Sequence, residues 1–186
     1  MQACIKGNQF LLVKAHITTV FGNDAFNNVL EQMPQHCAAS FKKMINSSSW
    51  VPEEAFVELL ATADKVLGKG DYKLCEELGS ILAKVGIPKF YKIFIQFGNP
   101  SFVIQRAPRF WKQLHNTGRL EVIATAKTSV IGRLVDKSHP HKAFCASLIG
   151  YFKATLELCG ATNISVEELE CVCNGNSCCE FAASWK

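Results

Sequence analysis

Apolar positions in the first 70 residues recur at helical spacing and are cut into short runs by turn residues. Gln9 to Phe21 reads as a helix closed by Gly22, Asp24 to Met33 as one stopped by Pro34, and Gln35 to Ile45 as one that runs into Ser47-Ser48-Ser49. A longer helix is predicted after Trp50. Pro52 lies near its first turn, Glu53 and Glu54 suit the positive end of its dipole, and Phe56, Leu59, Leu60, Ala63 and Leu67 form one stripe. Gly68-Lys69-Gly70 ends it. From Asp71 a further helical pattern runs through Leu74, Leu78, Ile81, Leu82 and Val85 until Gly86 and Pro88 break or kink it, with Phe90 to Phe97 continuing at an angle.

The period then changes. Asn99-Pro100 signals a helix start, and Phe102, Val103, Arg106, Phe110, Trp111 and Leu114 fit a helix that ends near Gly118 and is distorted at Pro108. Arg119 to Ala126 and Ser129 to Val135 are rich in Val, Ile and Thr and read as a hairpin. Pro140 opens a helix from about His141 to Cys159, and Ile164 to Cys173 pairs with Cys178 to Trp185 around Asn174-Gly175-Asn176. The order hairpin, helix, hairpin predicts an α+β fold: an antiparallel four-stranded sheet covered by helices, with an N-terminal helical segment. Residues 1–70 are expected to form an annex packed on a main domain of residues 71–186.

The composition, with 48% apolar and 19% charged residues over 186, is that of a folded globular chain. The net charge of +4 comes from scattered lysines and arginines, so nucleic-acid binding is not expected. No basic segment opens the chain ahead of an apolar run, and no window reaches the length of a membrane span, so a cytoplasmic location is expected. There the nine cysteines read as free thiols, metal ligands or a redox device, and six of them (Cys145, Cys159, Cys171, Cys173, Cys178 and Cys179) crowd the C-terminal part.

The tail Cys171-Val-Cys-Asn-Gly175-Asn-Ser-Cys-Cys179, followed by Trp185, has the spacing Cys-x3-Gly-x3-Cys and resembles the C-terminal signature of 4-vinyl-reductase-type, hydrocarbon-binding domains. These are related to the Bet-type vesicle-tethering subunits and share a ligand-binding fold with haem-NO-binding domains. Cys145-Ala-Ser-Leu-Ile-Gly150-Tyr151 is similar to the segment that opens the main helix in the sensor domains of bacterial aromatic-responsive activators. The resemblance covers roughly residues 71–185. It implies a zinc site at Cys145, Glu168, Cys171 and Cys179, and three thiolates with one carboxylate suit a closed, structural, tetrahedral zinc. On a regular strand Cys173 shares the face of Cys171 and could substitute, while Cys178 and Cys179 face opposite ways. Reduced thiols packed as small hydrophobes, or a regulatory disulfide, are the alternatives.

A helix-covered sheet leaves an apolar cavity between its layers, for which Phe102, Arg109, Phe110, Trp111, Val122, Ala124, Ile131 and Tyr151 are the candidate ligand-binding residues. The aromatic sensors have a histidine where this chain has Arg109, so a phenol is not the expected ligand. Haem-based gas sensors hold iron through a histidine backed by a Tyr-x-Ser-x-Arg cluster. This sequence lacks that cluster, and haem is therefore not expected, with His16, His36, His115, His139 and His141 left as the possible ligands. Phosphate-cradling glycine loops, a nucleophile elbow and a His-Glu-x2-His helix are all missing, so no enzyme is expected. The expected function is a sensor or carrier of a small hydrophobic molecule, a homodimer acting through a separate signalling partner. A dimeric interaction scaffold without ligand and a haem-based gas sensor are the alternatives.

Overall fold

Helices give way to sheet close to residue 118, where the hydrophobic period changes. The structure, a computed structural model, describes residues 2–96 and 100–186, with only the backbone described at 88–96, 124 and 125. The N-terminal part consists of β1 (Cys4–Lys6), α1 (Gly7–Phe21), α2 (Asn23–Gln32), α3 (Gln35–Ala39), β2 (Trp50–Pro52) and α4 (Glu53–Leu67). Then follow α5 (Lys73–Gln96), α6 (Pro100–Ile104), α7 (Ala107–Leu114), β3 (Arg119–Ala126), β4 (Ser129–Val135), α8 (Lys142–Leu158), β5 (Ser165–Glu170) and β6 (Cys179–Ser184). The sheet is antiparallel in the order β3-β4-β6-β5, so the expected α+β fold, with two hairpins separated by a helix, is the one observed. Among the described residues no helix is long and apolar enough to cross a membrane.

Several local expectations need correction. The third N-terminal helix stops at Ala39, well short of Ile45. Of the break or kink expected at Gly86 and Pro88, the break does not occur: α5 continues to Gln96, as the pattern from Phe90 onward suggests, and Phe97 lies outside the described residues. Pro108 does not distort a helix interior: the chain breaks after Ile104, and Pro108 falls in the first turn of a new helix, where its missing N–H has no partner to lose. The small pair β1–β2 was not anticipated, because three-residue strands leave no periodic signal. In it Ile5 faces Val51, and both are buried.

This pair matters for what lies beneath it. The amide of Cys4 donates to Asn116 Oδ1 (2.6 Å), Asn116 Nδ2 donates to the carbonyl of Gln2 (2.9 Å), and Glu53 N donates to the carbonyl of Ala3 (2.9 Å). The N-terminal strand is thereby stitched both to the start of α4 and to the end of α7. One core cluster runs from Phe10, Val13 and Ile17 of α1 through Phe56, Leu59 and Leu60 of α4 to Phe144 and Leu148 of α8 and Phe181 of β6. Helices α5 and α8 cross with almost no space between their backbones. A Cβ on Gly79 would lie 1.8 Å from the carbonyl oxygen of Ser147, and one on Gly150 1.8 Å from that of Glu76.

Candidate functional site

Between the helices and the inner face of the sheet lies an apolar cavity, walled by α4, α5, α6, α7, α8 and strands β3, β4 and β6. The non-atom space between its walls is about 1230 Å³, the part open to solvent included. Phe110, Trp111, Val122 and Tyr151 line it as the sequence suggests. Ile131 does not, because Val130 and Gly132 present the inner face of β4 and strand alternation sends the residue between them outward. Arg109 is exposed on the outside of α7. Phe102 is half-buried beneath the guanidinium of Arg106, whose Cζ is 3.4 Å from the ring centre, and the side chain of Ala124 lies outside the described residues.

The sequence does not single out the polar group that matters most in this wall, His115. It caps α7, is 7% exposed, and stacks on Trp111 with ring centres 3.8 Å apart and planes within 5°, while Phe144 meets both rings edge-on. Its Nδ1 lies 3.3 Å from Glu53 Oε1, and the Lys137 ammonium contacts the same carboxylate oxygen. All three side chains are almost completely buried. Burial pushes the Glu53 carboxyl up, but the hydrogen bond from His115 and the charge of Lys137 outweigh it and hold the group below its ordinary value. Burial drives His115 below its ordinary value against the pull of Glu53, and it does the same to Lys137.

A carboxylate can only accept, so the neutral imidazole places its proton on Nδ1 and keeps a lone pair on Nε2. That is how a metal-binding histidine is held, with one nitrogen fixed by a carboxylate and the other left basic. Among the described residues no hydrogen bond occupies Nε2.

These shifts set the response to acid. Below about pH 6.5 the unfolded chain takes up a proton that buried His115 refuses, so stability falls as pH drops, by at most about 1.4 kcal/mol per unit. Glu53 adds to the loss below its ordinary 4.5, where protonation removes a stabilised carboxylate. Lys137 acts in the alkaline range, where the cost of burying its charge is relieved as pH rises toward 10.5. Urea unfolding at about pH 7 and about pH 5.5 should show the acid loss, and His115→Asn should flatten it. Equal slopes in the two proteins would remove His115 as the cause.

The second cluster is the one marked by the cysteine spacing. Cys145 of α8 donates to Cys179 Sγ at 3.6 Å and lies 3.9 Å from Cys171 Sγ, and Cys171 and Cys179 are 4.0 Å apart. Glu168 joins them because it shares the inner face of β5 with buried Val166, and its Oε1 is buried without a partner among the described residues. The hydrogen bond to Cys179, burial and Glu168 raise the Cys145 thiol well above its ordinary value. Burial and Glu168 push Cys171 up to about 12. Hydrogen bonds from Cys145, the Val172 amide and Cys171 bring Cys179 down to about 6. Cys173 cannot substitute for Cys171. The strand ends at Glu170 and a short 3-10 turn, Val172–Asn174, turns Cys173 out to solvent. The four expected donors therefore meet, inside the main core, where they tie the hairpin to α8.

No family model matches the chain, and no curated protein matches it by sequence. Its fold does have solved counterparts. An H-NOX protein from S. oneidensis in the Fe(II)NO ligation state is similar with a TM-score of 0.76 at 12% identity, over 98% of this chain and 99% of that one. An oxygen-binding H-NOX domain related to soluble guanylate cyclases gives 0.71 at 17% identity, over 98% and 95%. A structure solved to probe haem distortion in the H-NOX family gives 0.69 at 18%, again over 98% and 95%.

At these identities the likeness establishes the fold, the haem-NO-binding one. Membership of the 4-vinyl-reductase and Bet-type group gains no support. The expectation of zinc in place of haem is corrected, because the structures that share this fold over nearly the whole chain are haem proteins. The expected sensor or carrier of a hydrophobic molecule, built on that resemblance, is overturned with it, and the haem-based alternative is the better supported.

Proposed function

We propose that the chain is a haem-based gas-sensing domain in which His115 would hold the iron. The observation that carries the reading is the Glu53–His115 pair on the wall of the apolar cavity: a neutral imidazole, its Nδ1 proton committed to a buried carboxylate and its Nε2 without a hydrogen bond. The donor set fits iron in a porphyrin, which takes histidine nitrogen as a proximal ligand, and the apolar walls fit a flat macrocycle. Haem, when bound, supplies an iron centre with affinity for diatomic gases.

The protein's own residues do the rest. Trp111 and Phe144 clamp the imidazole ring, and Glu53 fixes its tautomer and raises its basicity. Lys137 balances the carboxylate charge that would otherwise favour a second proton on the imidazole, at Nε2, and so helps to keep the ring neutral with that nitrogen free. Phe56, Leu82, Leu148 and Phe181 give the cavity its apolar lining. Because β1, the N-terminus of α4 and the end of α7 meet at Glu53 and His115, a shift of the ring would be felt by the N-terminal helices. The function is binding and signalling, without turnover. The sequence lacks the Tyr-x-Ser-x-Arg cluster of the gas sensors, so the acidic edge of a haem must be met by other groups.

Reconstitution with haem tests this. The wild type should take up about one haem per chain with a histidine-ligated absorption spectrum. His115→Gly should weaken binding by more than the roughly 10–100-fold seen when an outer partner of a ligand is lost, with added imidazole restoring the spectrum. Lack of specific uptake, or a spectrum indifferent to His115→Gly, would overturn the assignment.

A further inference from the structure

The cavity opens into a more polar recess, with which it shares Gln9, Leu82, Ile87, Phe110, Leu114 and Tyr151. Lys6, Asn8, Ser47, Ser48, Gly86 and Gln113 complete the recess. We propose that this recess receives a carboxylate on the edge of the bound ligand, with Lys6 and Gln9 as its partners. The inference rests on the haem reading and identifies the groups that meet the acidic side of the porphyrin.

Gln9 is the first reason. It is 5% exposed, it lies on the wall of both spaces, and among the described residues its amide makes no hydrogen bond. A side chain so largely enclosed, whose amide meets these spaces instead of a protein partner, leaves its hydrogen-bonding capacity to a ligand or water. Asn8, next to it, also has a buried Oδ1 without a partner among the described residues.

Lys6 is the second reason. Its ammonium donates to the carbonyl of Ser48 at 3.1 Å and sits 3.7 Å over the ring of Trp50, a geometry that holds the charge beside the recess. Among the described residues no carboxylate pairs with it, and an ammonium with three donors has capacity for an anion. Charge on the surrounding backbone points the same way. The first turn of α1 carries no acidic residue, so its positive end is uncompensated, although the amides of Gly7 and Asn8 are already taken by the carbonyls of Ser49 and Ser47. Recognition therefore falls to the side chains. Among the described residues the recess thus presents the Lys6 ammonium, the Gln9 amide and the unpaired Asn8 Oδ1 at the rim of an apolar slot, and this complements a flat ligand that is apolar at its centre and anionic at its edge.

Metal-free protoporphyrin IX and its dimethyl ester separate the two parts of the argument, because neither has an iron to bind His115. In fluorescence titrations of the full chain the diacid should bind about tenfold or more tightly than the diester, the scale of one charge-assisted hydrogen bond. Lys6→Met and Gln9→Leu, each checked for an unchanged melting temperature, should bring the diacid down toward the affinity of the ester. Raising the salt concentration should weaken the diacid alone. Equal binding of diacid and ester by the wild type, or a preference that survives in both variants, overturns the anchor while leaving the haem assignment standing. A chain that binds neither porphyrin nor haem overturns both. Water completing Gln9 in place of a ligand carboxylate would show as equal affinities.

Discussion

Lys137→Met should cost the folded state about 3–5 kcal/mol, measured by urea unfolding at neutral pH, because it leaves the Glu53 carboxylate in the core with no opposing charge. The Glu53 side chain is 0% exposed and that of Lys137 2%, so water cannot replace the lost partner. Neutral His115 offers one hydrogen bond and no charge. The double variant Glu53→Gln with Lys137→Met should recover most of the loss, since removing both charges also removes the cost of burying them. The amide oxygen that replaces the carboxylate can still accept from His115 Nδ1. A single variant that loses less than about 1 kcal/mol would mean the pair is solvated like a surface one.

Gly150→Ala should be at least as damaging, about 3 kcal/mol or more. The added methyl would meet the carbonyl oxygen of Glu76 at 1.8 Å, and the obstacle is helix backbone, not a side chain that can swing away. Gly79→Ala should behave alike, against the carbonyl of Ser147. Gly86 is the internal control. It also lies within α5, but a Cβ there would meet only Leu12 Cδ1 at 3.6 Å, so Gly86→Ala should be neutral or stabilise by up to about 1 kcal/mol through helix propensity. Thermal or urea unfolding of the three variants gives the comparison. Equal effects at 79, 86 and 150 would show that the helices are free to separate.

Both predictions concern features that no pattern along the chain announces. Glu53 reads in the sequence as an acid at the positive end of a helix dipole, which it is, and such residues are normally solvated. Here Lys137, from the end of β4, and His115, from the end of α7, fold onto it and turn a helix-start residue into a buried ionic contact. Likewise the glycines of α5 and α8 look like interruptions of helical pattern, and only the crossing of the two helices makes Gly79 and Gly150 points of backbone approach.

The cysteine cluster was more legible. Cys171 and Cys179 are brought together by a local hairpin and Glu168 follows from strand alternation, but Cys145 of α8 joins them only through the packing of the helix on the sheet, and it was the resemblance that pointed to it. Family-like spacing did not settle what such a cluster serves. The cavity was legible in part, for α7 and β3 set the faces of Trp111 and Val122 by period alone, whereas Ile131 fell on the wrong face because the inner register of β4 depends on its partners.

From the sequence alone follow the order of elements, the two hairpins about a central helix and the antiparallel sheet, each of which depends on periodicity, turn residues or contacts a few residues apart. The cysteine set came from the family resemblance and brings in Cys145 from 26 residues before Cys171. Tertiary structure alone decided that α5 runs through Gly86 and Pro88, that β1 closes over the end of α7, and that His115, Glu53 and Lys137 meet. Such contacts join residues far apart in the chain. Their free energy comes from burial and charge pairing among segments whose local signals are silent about one another, and so which of the five histidines faces the cavity emerges only when the chain is folded.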